Sequence, residues 1–380
     1  MPNIVNVRTV LSALLTLLVL WPPAVAQAGG GWSTPVNISA SLVDTEQGSI
    51  IVDAAGRTHV VWSEAGDLWH RYKTDEGWSA STRLGSGISP DLATVGAGTV
   101  YLVYSNRFED NDEIYLIAWQ QETGWGLPVN VSQTTGESLL PAVAVVSQTL
   151  AVVWSEASGD TRVIYLAQSD DGLLWSSGPV PHAQGIYPVV AGASDGIWVA
   201  WQDVYDVGFP MEVFASRRTA SGWSLPVDVS ASPQTNSQRP SLAEHQGDAY
   251  LAWEENRLDG DVILLARMVG GHWMEPVQRS GEEAAHVPVL VVDGGGQGHL
   301  AWTATFAVQY VRGNLATDMW NAVSNVALDL VQPIGVDLAA GETAQVIWLS
   351  EVAPDNRDVW YREAVPLEQP YACYVPLVWR

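Results

Sequence analysis

Short apolar runs alternating with polar residues recur along this chain, and many end on an aromatic: His59-Val60-Val61-Trp62, Ala151-Val152-Val153-Trp154, Tyr250-Leu251-Ala252-Trp253. A period of two places alternate side chains on opposite faces of a strand, so these runs read as half-buried or buried β-strands. They come in groups of four. In the first group the strands are expected at 49–53, 58–64, 68–73 and 78–84, separated by Ala54-Ala55-Gly56 and Asp75-Glu76-Gly77, which is hairpin-turn chemistry. Beyond the N-terminal segment no helical period is sustained.

Three landmarks share one longer period. A tryptophan recurs at Trp32, Trp78, Trp125, Trp175, Trp223, Trp273 and Trp320, spaced 46 to 50 residues apart. Several copies are followed by one phrase: Pro35-Val36-Asn37-Ile38-Ser39, Pro128-Val129-Asn130-Val131-Ser132, Pro226-Val227-Asp228-Val229-Ser230. The aromatics closing the alternating runs form a second series: Trp62, Tyr104, Trp154, Trp201, Trp253, Trp302 and Trp348. A third is proline at 90, 141, 188, 240, 288 and 333, with Gly48 in its place in the first unit. Four strands per repeat of this length predict an all-β, seven-bladed β-propeller whose sheets bury their faces on one another around a ring. The first tryptophan strand precedes any complete blade, and the seventh unit lacks a fourth strand after residue 363. Residues 32–39 are therefore expected to close the last blade and remove an open sheet edge.

The repeat accounts for an unusual composition, 19 Trp against 4 Phe: thirteen of the tryptophans belong to the two series, where flat rings fill the gaps between sheets. The Asn-x-Ser matches at Asn37 and Asn130 are equally repeat positions. Lys and Arg number 17 against 42 Asp and Glu, a net charge of −25. So acidic a surface disfavours nucleic acid and anionic membranes as partners. One cysteine, Cys373, excludes an intrachain disulfide framework and a cysteine-rich zinc site.

Residues 1–28 read as an export signal: Arg8, an apolar run from Val10 to Leu20, Pro22-Pro23, then small residues around Ala24-Val25-Ala26 and Ala28. The run is short for a membrane span, and no other segment offers one. The expected organisation is signal 1–28, propeller 29–365, and a tail 366–380 ending Tyr374-Val375-Pro376-Leu377-Val378-Trp379-Arg380. That tail is similar to short terminal elements of some secreted bacterial proteins, and reads either as a sorting element or as an apolar strand packed on the propeller. The expected location is extracellular or the cell surface; the oligomeric state is open.

Two residue sets are expected at the channel mouth, where outer-to-inner connections and second-to-third-strand hairpins meet. One follows the second aromatic series: Glu64, Asn106, Glu156, Asp203 and Glu255, with Glu351 one place later. Such acids suit Ca²⁺ or a sugar, but recurrence in most blades favours a scaffold role, capping turns and pairing with arginine between blades. The other lies near the prolines and varies between blades: Gln47, Ser89, Tyr187, Arg239, His286 and Gln332. Variation among blades is where a repeat protein encodes specificity, which singles out Tyr187, Arg239 and His286.

The stretch Ser169-Asp170-Asp171-Gly172-Leu173-Leu174-Trp175, with a weaker echo at Thr74-Asp75-Glu76-Gly77-Trp78, resembles the Asp-box turns of the sialidase-like propeller superfamily, one residue short of the pattern Ser-x-Asp-x-Gly-x-x-Trp. That resemblance implies the propeller architecture and a turn remote from any active site. It does not carry over catalytic residues: Gln238-Arg239-Pro240 only approximates the superfamily's Arg-Ile-Pro, and the first unit has Gln47-Gly48-Ser49. No metalloprotease, nucleophile-elbow or phosphate-loop motif is present. The sequence thus favours a recognition or scaffold module for extracellular glycan or protein, without a required cofactor, Ca²⁺ remaining open. The rival is a glycoside hydrolase or lyase using acids such as Glu156, Asp203 or Glu255.

Overall fold

The computed structural model describes residues 31–95, 98–108, 111–203, 210–328, 333–353 and 356–365; the signal and tail segments, Gln332 and Cys373 lie outside them. Within these residues seven antiparallel sheets form a seven-bladed β-propeller. In the first blade the strands are Thr45–Val52, Thr58–Glu64 and Asp67–Thr74, with an outer strand split into Gly77–Trp78 and Thr82–Ser86. Only in the third blade does the outer strand run unbroken, as Ser176–Gln184.

The last blade takes its outer strand from the N-terminal side. Val36–Asn37 pairs antiparallel with Asn356–Glu363, and Trp32 bridges to Ala364. Asp358, almost wholly buried, accepts hydrogen bonds from Asn37 Nδ2 at 2.6 Å, Ser39 Oγ at 2.8 Å and the Ser41 N–H at 2.9 Å. Gly48 stands beside this seam because a Cβ there would lie 3.2 Å from Ile347 Cδ1.

The core is a set of inter-blade clusters. Trp62, Trp154, Trp201, Trp253 and Trp302 are fully buried, each against the preceding blade: Trp253, for example, packs on Val213, Ala215 and Ala200. Replacing one such ring by alanine costs about 3–5 kcal/mol, since the neighbouring sheets cannot collapse into the space.

The repeated Pro-Val-Asn/Asp-x-Ser phrase has a physical reason. Where the outer strand leaves the sheet, the serine hydroxyl replaces a ladder partner: Ser39, Ser132 and Ser230 accept the N–H groups of Val359, Ile114 and Val213, each at 2.9 Å. The same hydroxyls donate to Asp358, Glu113 and Glu212. The Asn or Asp two residues earlier accepts the N–H of Ala40, Gln133 or Ala231, all at positive φ, and so fixes the turn.

One polar thread crosses the core between the first two blades. Trp125 Nε1 donates to His70 Nδ1 at 3.1 Å, His70 Nε2 meets His59 Nδ1 at 3.1 Å, and His59 Nε2 meets Asp53 Oδ2 at 3.3 Å. An indole can only donate, so the chain of donors has one direction, ending on the carboxylate. Both imidazoles are then neutral with the proton on Nε2. Burial holds them there, lowering His59 to about 4 and His70 to about 3.

Candidate functional site at the channel mouth

The inner strands of all seven blades enclose an axial cavity of about 690 Å³. Five of them begin with the same irregularity. Ser89, Leu140, Tyr187, Arg239 and Val287, each immediately before a proline, have φ between 51° and 56°. A residue before proline ordinarily takes the extended region, and a β-branched residue at positive φ is an outlier. Each sits in a register shift with the second strand, so the extra residue bends the strand and turns its side chain to the channel.

The bulge frees an N–H, and in three blades the preceding blade accepts it. Gln47 Oε1 takes the Ser89 N–H at 2.7 Å, Gln202 Oε1 that of Arg239 at 3.1 Å, and Glu254 Oε2 that of Val287 at 3.2 Å. The strain is thereby held by contacts between blades.

Of the sequence-selected residues, Tyr187 and Arg239 line this cavity, as do Gln47 and Ser89. Both are partly exposed. Glu64, Asn106, Glu156, Asp203, Glu255 and His286 do not line it. The first acid set turns instead to its own tryptophans: Glu64, Glu156 and Glu255 accept Nε1 of Trp62, Trp154 and Trp253 at 3.2, 2.8 and 3.0 Å. Glu156 and Glu255 are buried and also take Ser138 and Ser237 hydroxyls, each at 2.6 Å. A glutamate two residues after the tryptophan shares its face of the strand, which explains the recurrence. Asn106 pairs across the strand ladder with Glu113, and the Asp203 N–H bonds the Glu212 carbonyl at 2.8 Å. His286 is not the bulge residue of its blade; Val287 is, and His286 occupies the place of Gln238 one blade earlier.

His286 nonetheless belongs to the most concentrated polar group at the mouth, built on Glu254. This carboxylate is only 2% exposed. Oε1 accepts Gln238 Nε2 at 2.8 Å and Asn256 Nδ2 at 3.1 Å and meets His286 Nδ1 at 3.2 Å; Oε2 faces Arg239 Nη1 at 3.4 Å. Burial alone would raise its pKa, but the bonds from His286 and Gln238 and the Arg239 charge hold it at about 2. The hydrogen bond to Glu254 raises His286 above its ordinary value against the opposing effect of burial, and Asp261 Oδ2 lies 3.4 Å from the same nitrogen. Sequence reasoning passed over Glu254. Its counterparts after Trp62, Tyr104 and Trp154 are Ser63, Ser105 and Ser155, so its departure from the repeat was the available signal.

Glu254, Asp261 and His286 place ligand atoms within 4.8 Å of one another. Glu254 is already saturated with donors and has a guanidinium beside it, so this group suits an anchored cationic histidine better than a metal ion. Ca²⁺ asks for six to eight oxygens.

Deeper in the channel the residues paired with the position just before each second-series aromatic form a ring, and three adjacent blades put polar groups there. Asp337, Ser49 and Asp91 come from the seventh, first and second blades; Asp337 accepts the Ile50 N–H and Asp91 the Val143 N–H, each at 2.8 Å. Burial raises Asp91 to about 7, with a contribution from the Asp337 charge, and raises Asp337 to about 6, both against these hydrogen bonds.

No protein-family model matches the chain, and no curated protein matches it. Solved structures do. A polysaccharide lyase of family PL25, an ulvan lyase, superposes with a TM-score of 0.61 at 12% identity over 86% of this chain and 95% of its own. A catalytically inactive variant of virginiamycin B lyase from Staphylococcus aureus, solved with quinupristin, gives 0.55 at 14% identity over 88% and 100%. A mutant of Trypanosoma rangeli sialidase displaying trans-sialidase activity gives 0.50 at 11% identity over 87% and 56%. At these identities the likeness is one of fold: the chain shares the propeller architecture of these structures.

Proposed function

We propose that this protein is an exported recognition module that takes an acidic extracellular glycan at the channel mouth. The observation that carries the reading is the Arg239–Glu254–His286 group bordering the cavity beside Tyr187. With His286 protonated, the two cations Arg239 and His286 balance the carboxylates of Glu254 and Asp261, so in a chain of net charge −25 this group is locally close to neutral, with the Arg239 guanidinium half-exposed. A ring such as Tyr187 offers a sugar an apolar face, and a half-exposed guanidinium offers a carboxylate or sulfate a planar fork. The hydrogen bond to Glu254 raises the His286 pKa, which shifts its ring towards the protonated, donating form.

The test is retention of the purified protein on neutral, uronate-bearing and sulfated polysaccharides, with Arg239→Ala and Tyr187→Ala in parallel. Preferential retention on the acidic polymers, weakened about tenfold or more by Arg239→Ala, is expected. Equal retention of wild type and variant, or none on any polymer, defeats the reading.

A second reading, lysis of the bound glycan, draws on one feature: a histidine anchored by a carboxylate next to an arginine and a tyrosine supplies a proton-transfer group, a charge neutraliser and a hydroxyl. New reducing ends with the ultraviolet absorbance of a fresh double bond, abolished by His286→Gln, would establish it. Retention without such products favours the module.

A further inference from the structure

The repeat exposes a second site, on the flank between the fifth and sixth blades towards the end opposite the mouth. Three residues before the buried tryptophan of the second strand, the first and sixth blades carry His59 and His299. Each is fully employed: His59 meets His70 and Asp53, and His299 Nδ1 meets the Tyr310 hydroxyl at 2.7 Å and its Nε2 meets Asp293 at 3.2 Å. The fifth blade has Tyr250 at this position, and the neighbour that would answer it, equivalent by register to His70 and Tyr310, is Leu265. Tyr250 is 5% exposed as a residue; its hydroxyl makes no hydrogen bond among the described residues and opens on the crevice it lines.

What faces it is a crevice of about 200 Å³ lined by Tyr250, Leu265, Arg267, Arg279 and Asp318, with Glu275 also in its wall. In the sixth blade Arg312, the counterpart of Arg267, pairs with Asp293 at 3.2 Å. Arg267 has only the carbonyls of Leu315 and Ala316, at 3.3 and 3.5 Å. Arg279 bonds Asp318 and lies over the Trp320 ring, 5.0 Å from its centroid, while its Nε is buried without a partner. Asp318 is further engaged by Trp320 Nε1 at 3.0 Å, so Arg267 keeps a charge that no carboxylate bonds.

We propose that this crevice binds a small oxyanion group, a sulfate, phosphate or carboxylate, with the Tyr250 hydroxyl and the Arg267 guanidinium as donors and Arg279 adding positive charge behind them. Its volume admits one such group with a few waters, each of which takes about 30 Å³. The site is separate from the channel mouth and does not depend on what binds there.

Titration calorimetry of the purified protein with sulfate, phosphate and acetate, at constant ionic strength and with chloride as control, tests the proposal. At least one oxyanion is expected to bind with one-to-one stoichiometry where chloride does not. Arg267→Gln should weaken it about tenfold or more and Tyr250→Phe several-fold, while Arg239→Ala leaves it unchanged. Preference for the tetrahedral ions points to inorganic or ester-bound sulfate or phosphate, and preference for acetate to a sugar or peptide carboxylate. Tyr250→Phe keeps the ring, and an unchanged melting temperature shows that it keeps the fold. No binding beyond chloride, binding indifferent to both crevice variants, or binding lost only with Arg239→Ala overturns the proposal.

Discussion

His286 Nδ1 lies 3.2 Å from one oxygen of Glu254, and the N–H of the next residue, Val287, reaches the other oxygen at the same distance. One carboxylate of the fifth blade therefore holds both the strained bulge of the sixth and the charge of its histidine. Exchanging Glu254 for glutamine keeps the shape and removes the charge. The His286 pKa should then fall towards its ordinary value, read by following its ring protons through a pH titration. His286 has a raised folded pKa, so its stabilisation is full below the unfolded value and is lost as pH rises through the folded one. The difference in stability between wild type and Glu254→Gln should accordingly be larger at pH 5 than at pH 9. Glu254→Ala, which strands five donors, should cost about 3 kcal/mol or more by denaturant unfolding.

The channel acids carry another pH dependence. Asp91 and Asp337 titrate near 7 and 6 when folded, well above the ordinary carboxylate value. Raised carboxyl pKa values contribute stability that is present in acid and disappears as pH climbs through 6 and 7. This contribution should be lost between about pH 4 and 7, and Asp91→Asn, whose amide oxygen still accepts the Val143 N–H, should lack the share of that loss due to Asp91. The variant should match wild type below about pH 4, where both carry a neutral group, and exceed it by about 2–4 kcal/mol above pH 7. Identical profiles would show that Asp91 is ionised throughout.

At the acid end the His59–His70 pair decides. Their folded pKa values, about 4 and 3, lie below the unfolded one, so the unfolded chain takes up protons first as pH falls below about 6.5. Their contribution to stability should decline from there downwards, opposing that of the channel acids. Trp125→Phe removes the only donor to His70 Nδ1 and should cost about 1–3 kcal/mol at pH 7. It should also make the histidine ring protons near neutrality report a changed tautomer. An unchanged spectrum would contradict the donor direction assigned to the relay.

The fold was legible because its signals repeat. Thirteen tryptophans in two series, the prolines and the Asn/Asp-x-Ser phrase are local answers to one packing problem posed seven times, so their spacing betrays the blade. The candidate site was legible only in part, because it is made of departures from that repeat. Tyr187 and Arg239 stand out as unlike their counterparts, and they do reach the cavity. For the recurring acids Glu64, Glu156 and Glu255 the sequence offered a ligand ring and favoured a scaffold role, and their spacing of two from a tryptophan places carboxylate and indole on one strand face. Glu254 points the other way from Glu255, and only the bulge in the next blade gives it a task. Nor does any local rule predict left-handed residues before proline; five such positions occur, and in three of them the preceding blade accepts the freed N–H.

Closure of the ring can be tested at a single side chain. Asp358 is 3% exposed, and its carboxylate gathers Asn37, Ser39 and the Ser41 N–H from a segment more than 300 residues away. These are charge-assisted bonds across the one seam that joins the first strand to the last blade. Asp358→Ala leaves three donors unanswered, two of them on side chains that hold the outer strand in register. We expect a loss of about 3–5 kcal/mol and a drop in melting temperature of several degrees. The loss should be largely shared with Asn37→Ala: in a double-mutant cycle the two changes should cost clearly less together than the sum of each alone, because both break the same bond. Additive losses would mean that the N-terminal strand is held by its backbone pairing and packing, with Asp358 stabilising only its own strand.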